Sequence, residues 1–177
     1  VDLIAIKPDG SIAKPGEEGE LRAKAPQLML GYLDTSLDKE AFDENGYFRT
    51  GDLGIIDEDG YVVISGRLKD VIIRHGENIS AKEVEDLLFG HQHIADIAVI
   101  GLPDAVTGER ACAVVSTAED HSPITLSELR TYLENAGLRK NAIPEQLIII
   151  DSIPRNPSGK ITKNVLQEQF KEVPFER

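Results

Sequence analysis

The stretch from Gly66 to Glu85, GRLKDVIIRHGENISAKEVE, constrains this chain more than any other. It opens with a glycine and a run of charge, Arg67, Lys69 and Asp70. A short apolar strand follows at Val71 to Ile73, then a turn at Gly76 and a helix start. Ser80 precedes Glu83 by three residues, the capping-box spacing, just before an apolar-periodic run. A charged segment placed between two foldable blocks reads as a junction. Cations held there by backbone on both sides can be aimed at an anion, so the stretch is read as a hinge that carries ligand-binding groups.

The blocks on either side differ in pattern. Before the junction the chain reads mostly as strand. Val1 to Ile6 and Glu20 to Ala25 are separated by the turn signals Pro8-Asp9-Gly10 and Pro15-Gly16. Gln27 to Leu33 is mixed apolar, and Leu37 to Phe42 suits one or two helical turns. Leu53–Ile56 and Tyr61–Ile64 flank Asp57-Glu58-Asp59-Gly60, a hairpin with a four-residue loop. A small antiparallel β unit is expected.

After the junction strands and helices alternate. Ala81, Val84, Leu87 and Leu88 recur at helical spacing, and Gly90 stops that helix. Ile94 to Ile100 is a nearly continuous apolar run, read as a buried strand, with a turn at Pro103-Asp104 and Gly108. Ala111 to Val115 returns as a second strand. Thr125 and Glu128 make another capping box ahead of Leu126, Leu129, Leu133 and Ala136, and Gly137 ends that helix. Leu147 to Ile150 is a third strand, Pro154 to Gly159 a loop, and Val165 to Phe170 a terminal helix. The fold class is α+β: a small antiparallel β subdomain, residues 1–67, then a domain with a small sheet flanked by helices, residues 68–177.

Charge narrows the function. The net charge of −12 excludes nonspecific duplex nucleic acid as a partner. Residues 1–66 carry 6 Lys+Arg against 14 Asp+Glu, net −8, and residues 67–177 carry 13 against 17, net −4. Basic groups thus gather in the second block, where phosphate chemistry is to be sought. A hydrophobic content of 41% and a charged content of 28% are those of a soluble globular protein. No apolar run is long enough to span a bilayer, and no secretory signal peptide is seen. The single cysteine, Cys112, forms no internal disulfide, fits a reducing cytoplasm and sits in an apolar context as a small core residue. The first residue is not Met and Val1 is already strand-like, so the chain is expected to be a piece of a longer protein.

Three short segments could carry chemistry. In Tyr47-Phe-Arg-Thr-Gly-Asp52 a glycine beside an acid lets backbone approach a ligand, and a carboxylate accepts two hydrogen bonds, which suits vicinal sugar hydroxyls. Arg67, with Lys69 beside it, offers a planar fork matched to phosphate or ribose oxygens. In Pro154-Arg-Asn-Pro-Ser-Gly-Lys160 a Pro/Gly-rich loop can extend a lysine into a site. This is not a Walker A loop, because no Gly stands five before Gly159 and Ile161 replaces Ser/Thr. Alone, each segment reads more blandly as a turn acid or a solvated cation. His91 and His93 lack a clear third ligand, so no metal site is expected, and His75 is read as solvent-facing.

In order along the chain, these segments resemble the motifs of the adenylate-forming superfamily: acyl-CoA synthetases, peptide-synthetase adenylation domains and beetle luciferases. Gly16–Glu20 into Gly31-Tyr32 is similar to its Gly-Glu-Leu…Gly-Tyr stretch. Tyr47–Asp52 is similar to Tyr-Arg-Thr-Gly-Asp, with Phe48 inserted before the Arg. Gly66–Glu85 resembles Gly-Arg-x-Lys-Asp…Gly…Glu-Val-Glu. Gly101-Leu-Pro-Asp104 with Gly108-Glu109, and Asn156-Pro-Ser-Gly-Lys160, complete the series.

The resemblance implies a two-step ligase. A carboxylate attacks the α-phosphate of ATP, giving acyl-adenylate and pyrophosphate, and a thiol, usually that of coenzyme A, then takes the acyl group. By matched position Asp52 would bind the ribose hydroxyls and Arg67 the ribose or phosphate side of the nucleotide. Lys69 would be the hinge, and Lys160 would bridge the attacking carboxylate and the α-phosphate. Gly76 would help form the coenzyme A tunnel, and acetylation and deacetylation of Lys160 would switch adenylation off and on. Residues 1–67 would be the last β subdomain of a large N-terminal domain, and residues 68–177 the mobile C-terminal domain. The phosphate loop, the Mg2+ ligands and the acid pocket would lie upstream, so this piece alone is expected to be inactive. A fatty, alicyclic or aromatic acid is the expected substrate. The rival readings are a peptide-synthetase adenylation domain that loads a carrier protein and a nonenzymatic nucleotide-binding module.

Overall fold

Antiparallel pairing organises the first block. A computed structural model describes residues 1–175. Four strands, β1 (Asp2–Ile6), β2 (Glu18–Lys24), β3 (Phe48–Ile56) and β4 (Val62–Arg67), pair antiparallel in the order β1-β2-β3-β4. The core under this sheet is thin, with Ala5, Ile6 and Leu21 buried. Between β2 and β3 the chain makes a 3-10 turn, Thr35–Leu37, and one helical turn, α1 (Asp38–Ala41). Gln27 to Leu33 forms no regular element, and Leu30 and Leu33 stand fully exposed. The β3–β4 connection takes five residues rather than the four expected. Asp57 Oδ1 captures the Tyr61 N–H at 2.8 Å and draws Tyr61 out of the strand into the turn.

A 3-10 turn at Leu68–Asp70 follows, and the chain divides there into two compact units, Val1–Lys69 and Asp70–Arg177. The division falls two residues later than the 67/68 boundary expected from sequence.

The second unit is built on β8 (Gly108–Thr117). Along one side it pairs antiparallel with β7 (Ile94–Asp104). On the other side β5 (Val71–Arg74) meets it at Arg74↔Gly108, and β9 (Gln146–Ile149) runs parallel to Cys112–Val115. Both faces of β7 and β8 are covered. Ile97, Val99, Ala113 and Val115 pack under α2 (Ala81–Leu88) and α3 (Leu126–Asn135). The alternate residues Ala98, Ile100, Cys112 and Val114 pack against Leu166 and Phe170 of α4 (Lys163–Phe170). A strand buried on both faces needs apolar residues at every position, which is why Ile94 to Ile100 shows no period of two. Each fully buried Leu, Ile or Val contributes about 1.5–3 kcal/mol of transfer free energy, so this sheet dominates the unit's stability.

Two elements differ from expectation. Glu77–Ser80 is a strand, β6, paired antiparallel with β5, where only a turn into a helix was read. Glu and Asn carry little strand preference, and pairing rather than propensity decides this segment. In addition, β7 runs on through Pro103 to Asp104, where a turn was expected. Pro is tolerated because β7 is an edge strand and needs no donor on its open side.

Candidate active site

The acidic and basic members of the first unit's motifs meet across one strand pair. Asp52 on β3 stands directly opposite Arg67 on β4. The Arg67 Nε lies 2.8 Å from Asp52 Oδ1, and its Nη2 donates to the Thr50 carbonyl at 3.3 Å. Thr50 fixes the turn of backbone between them. Its hydroxyl donates to the Leu21 carbonyl at 2.6 Å and accepts the Asp52 N–H at 3.0 Å. Gly51, at φ +70°, takes a conformation that side chains avoid. The Asp52 and Arg67 side chains remain 37% and 47% exposed, so both can still face a ligand. A carboxylate that accepts and a guanidinium that donates, side by side, together match a sugar diol next to a phosphate.

Lys69 is exposed and is the last residue of the first unit. Gly76 sits at the tip of the β5–β6 hairpin, where His75 (φ 52°) and Gly76 (φ 77°) form a two-residue turn with both φ values positive. A Cβ on Gly76 would meet nothing within 4 Å, so backbone freedom rather than lack of space calls for glycine. The His75 N–H donates to the Thr107 carbonyl at 2.8 Å. His75 is exposed, as read from sequence, and with Arg74, Arg130, Glu134, Lys140 and Glu145 it lines a cavity of about 490 Å3.

Lys160 ends a tightly wound loop in the second unit. The Asn156 side-chain carbonyl accepts from the Ser158 N–H at 3.1 Å, the Ser158 hydroxyl at 2.8 Å and the Lys160 N–H at 2.9 Å. Arg155 and Ile161 bridge across the loop's base, and Thr162 donates twice to the Pro154 carbonyl. The Lys160 side chain is exposed beyond this frame. Among the motif residues, the geometry thus brings Asp52 and Arg67 together in one unit and presents Lys160 from the other.

Other motif residues have local work. Asp104 Oδ1 gathers the Val106 N–H, the Thr107 N–H and the Thr107 hydroxyl within 2.9 Å and shapes the β7–β8 turn. Glu109 Oε2 accepts the Ile73 N–H at 2.6 Å, and a Cβ on Gly101 would strike the same carboxylate at 2.9 Å. His91 and His93 are joined by His121 in a run of tilted rings, with centroids 5.5 and 5.1 Å apart. Among the described residues no group of three or more His, Cys, Asp or Glu is placed to hold a metal ion. The Cys112 thiol is buried, and burial pushes its pKa up to about 12, so it is no nucleophile.

Residues 83–160 match the family described as AMP-binding enzyme C-terminal domain. This chain belongs to the adenylate-forming superfamily. It is 41% identical over 170 residues to the salicyl-AMP ligase / salicyl-S-ArCP synthetase of Mycobacterium tuberculosis, and the match covers 96% of this chain. It is also 41% identical over 171 residues to the medium-chain fatty-acid–CoA ligase of Escherichia coli, again over 96% of the chain. The chain spans only 30% of the length of either relative. Among solved structures, ATP-bound MatB from Rhodopseudomonas palustris matches at TM-score 0.88 and 36% identity, over 97% of this chain and 34% of that one. The Bacillus subtilis o-succinylbenzoate CoA synthetase with its acyl-adenylate intermediate matches at TM-score 0.82 and 34% identity, over 98% of this chain and 34% of that one. The adenylate-forming motifs read from sequence therefore lie on a fold that this superfamily shares. No helix among the described residues is long and apolar enough to cross a membrane.

Proposed function

We propose that this chain is the C-terminal portion of an ATP-dependent acid–thiol ligase. A carboxylate attacks the α-phosphate of ATP, forming acyl-AMP and releasing pyrophosphate, and the coenzyme A thiol then takes the acyl group and releases AMP. The observation that carries the proposal is the Asn156 loop, which preorganises an exposed lysine at the last motif position. In the adenylation step two anions, a carboxylate and the α-phosphate, must approach each other. A fixed cation between them is worth about 2.7–4 kcal/mol if it acts like one oxyanion-hole donor. Asp52 and Arg67 hold the ribose and the phosphate side of the nucleotide, and Mg2+ is held by residues outside this stretch.

Rotation about Lys69 delivers Lys160 for adenylation and withdraws it for thioester formation. The unit boundary immediately after Lys69 supports that pivot. The first unit, Val1–Lys69, is then the last subdomain of the large N-terminal domain, and the second, Asp70–Arg177, the mobile C-terminal domain. Gly76 serves the thiol half-reaction. A fatty or aromatic acid is supported by the activities for which the relatives are named, a medium-chain fatty-acid–CoA ligase and a salicyl-AMP ligase among them. An equally similar relative is named for an acyl carrier product, salicyl-S-ArCP, so a carrier-protein thiol is the second reading for the acceptor. Acetylation of the exposed Lys160 would remove the proposed charge and silence adenylation. A cytoplasmic setting belongs to the same proposal, supported by a lone buried cysteine that needs no oxidising compartment.

The test is Lys160→Ala in the full-length protein, with acyl-AMP formation and thioester formation measured separately. Adenylation should collapse while thioester formation from supplied acyl-AMP persists. Acyl-AMP formation near the parent rate removes Lys160 from the mechanism.

A further inference from the structure

Three charged residues outside the assigned roles meet at the root of the Lys160 loop. Lys163, the first residue of α4, stands three positions beyond Lys160. Its Nζ lies 2.8 Å from Glu85 Oε1 and 3.8 Å from Asp70 Oδ2. The side chains are only 16%, 20% and 21% exposed for Lys163, Glu85 and Asp70, so the cluster is weakly screened. Glu85 is committed a second time, because its Oε1 also accepts the Val99 N–H on β7 at 2.6 Å. Asp70 is the first residue of the second unit, adjacent to Lys69.

The placement of Lys163 runs against local preference. A cation in the first turn of a helix opposes the helix dipole, and α4 has neither an acidic residue in that turn nor a side-chain cap. What offsets the cost is the pair of carboxylates facing it. The other stem of the loop is fastened in parallel. Arg155 Nη2 lies 2.6 Å from Asp96 Oδ2 on β7, and its Nη1 donates to the Gly159 carbonyl at 2.7 Å. One stem is therefore tied to β7, and the other is tied through Glu85 to β7 and through Asp70 to the residue beside the pivot.

We infer that Lys163 is a positioning residue for adenylation: it locks the root of the Lys160 loop to Asp70 and Glu85, so that motion at Lys69 is passed undamped to the Lys160 ammonium. This rests on the roles proposed above for Lys160 and Lys69. Lys163 touches no reacting atom. It acts through the register of the loop, where a misplacement of about 1 Å costs on the order of 10²-fold in rate.

The experiment uses the full-length protein with Lys163→Met, Lys163→Arg and Glu85→Gln, and Lys160→Ala in parallel. Glu85→Gln keeps an acceptor for the Val99 N–H while removing the charge, so it reports on the ion pair if Lys163→Met folds poorly. Acyl-AMP formation should fall by about 10²-fold in Lys163→Met, by less in Glu85→Gln, and be restored in Lys163→Arg. KM for ATP and thioester formation from supplied acyl-AMP should stay within about 3-fold of the parent, since neither uses the loop's register. Adenylation at the parent rate in both Lys163→Met and Glu85→Gln overturns the inference. So does an equal loss in both half-reactions together with a lowered Tm, which marks a structural residue. If Lys160→Ala itself leaves adenylation intact, the failure belongs to the underlying mechanism instead.

Discussion

The Asn156 side-chain carbonyl accepts the backbone N–H of Lys160 at 2.9 Å and so closes the loop on the residue that the loop presents. The same oxygen serves Ser158 twice. Asn156→Ala removes all three bonds at an exposed site, so its effect on stability should be small. Its effect on adenylation should be larger, a loss of about 10- to 100-fold, because the lysine is no longer held at a fixed point. Asn156→Asp keeps the acceptor and should recover most of the rate. Single-turnover acyl-AMP formation by the full-length protein decides this, and equal rates for the Ala and Asp variants would show that the frame does not matter.

Arg67 is pinned to Asp52 but half-exposed, so the pair adds little to stability, at most about 1 kcal/mol. Arg67→Ala should therefore leave Tm nearly unchanged. It should raise KM for ATP by about 10-fold or more, the worth of one charged hydrogen bond of roughly 1.5–3 kcal/mol. Arg67→Lys should not restore binding, because a point charge cannot reproduce the fork that reaches both Asp52 and the Thr50 carbonyl. A large fall in Tm with unchanged KM would assign the pair to folding alone.

Cys112 faces Ala98, Ile100 and Val114 in the α4-side core. Its pKa, raised to about 12 by burial, leaves roughly one part in 10⁴ as thiolate at pH 8. The native chain should be inert to thiol-reactive reagents at that pH and should take up one equivalent when unfolded in guanidinium. Rapid labelling of the native chain would mean that the sheet opens on the α4 side.

The parts of this molecule legible in sequence are those where local chemistry and burial agree. Thr125 and Glu128 form a reciprocal cap as their spacing requires, and the apolar runs around Val99 and Val114 became the paired strands β7 and β8. The ordered motifs single out Asp52, Arg67 and Lys160 as candidates, and the structure shows the first two paired across one strand pair and the third exposed. What escaped depends on distant partners. Strand β6 exists because Glu77 to Ser80 pair with β5, and of its residues only Ile79 favours a strand. Pro103 stays in a strand because its neighbour is missing on one side, which no local pattern records. Lys163 was passed over because its meaning lies in Glu85 and Asp70, far back in the chain. The signal that could have found it was a lysine at the start of a helix with no acid in the first turn.

His91 offers a test of stability against pH. Burial, and then the neighbouring His93, lower its pKa below the usual 6.5, while the Glu128 carboxylate raises it less. The His93 N–H also donates to His91 Nδ1 at 3.2 Å, a bond that needs that nitrogen unprotonated. The unfolded chain thus takes up this proton at a higher pH than the folded chain does. Stability should be at its full value above pH 6.5 and fall as the pH drops from 6.5 toward the lower folded value, then level off. His91→Gln removes the titration, so the drop in Tm between pH 7.5 and pH 5.5 should be smaller in the variant than in the parent. Glu128 also sits below its usual range, chiefly through hydrogen bonds from Thr125, but its window lies below pH 4.5 and does not overlap this one. A parent and variant with the same drop would mean that His91 does not titrate with folding. A larger drop in the variant would reverse the sign argued here.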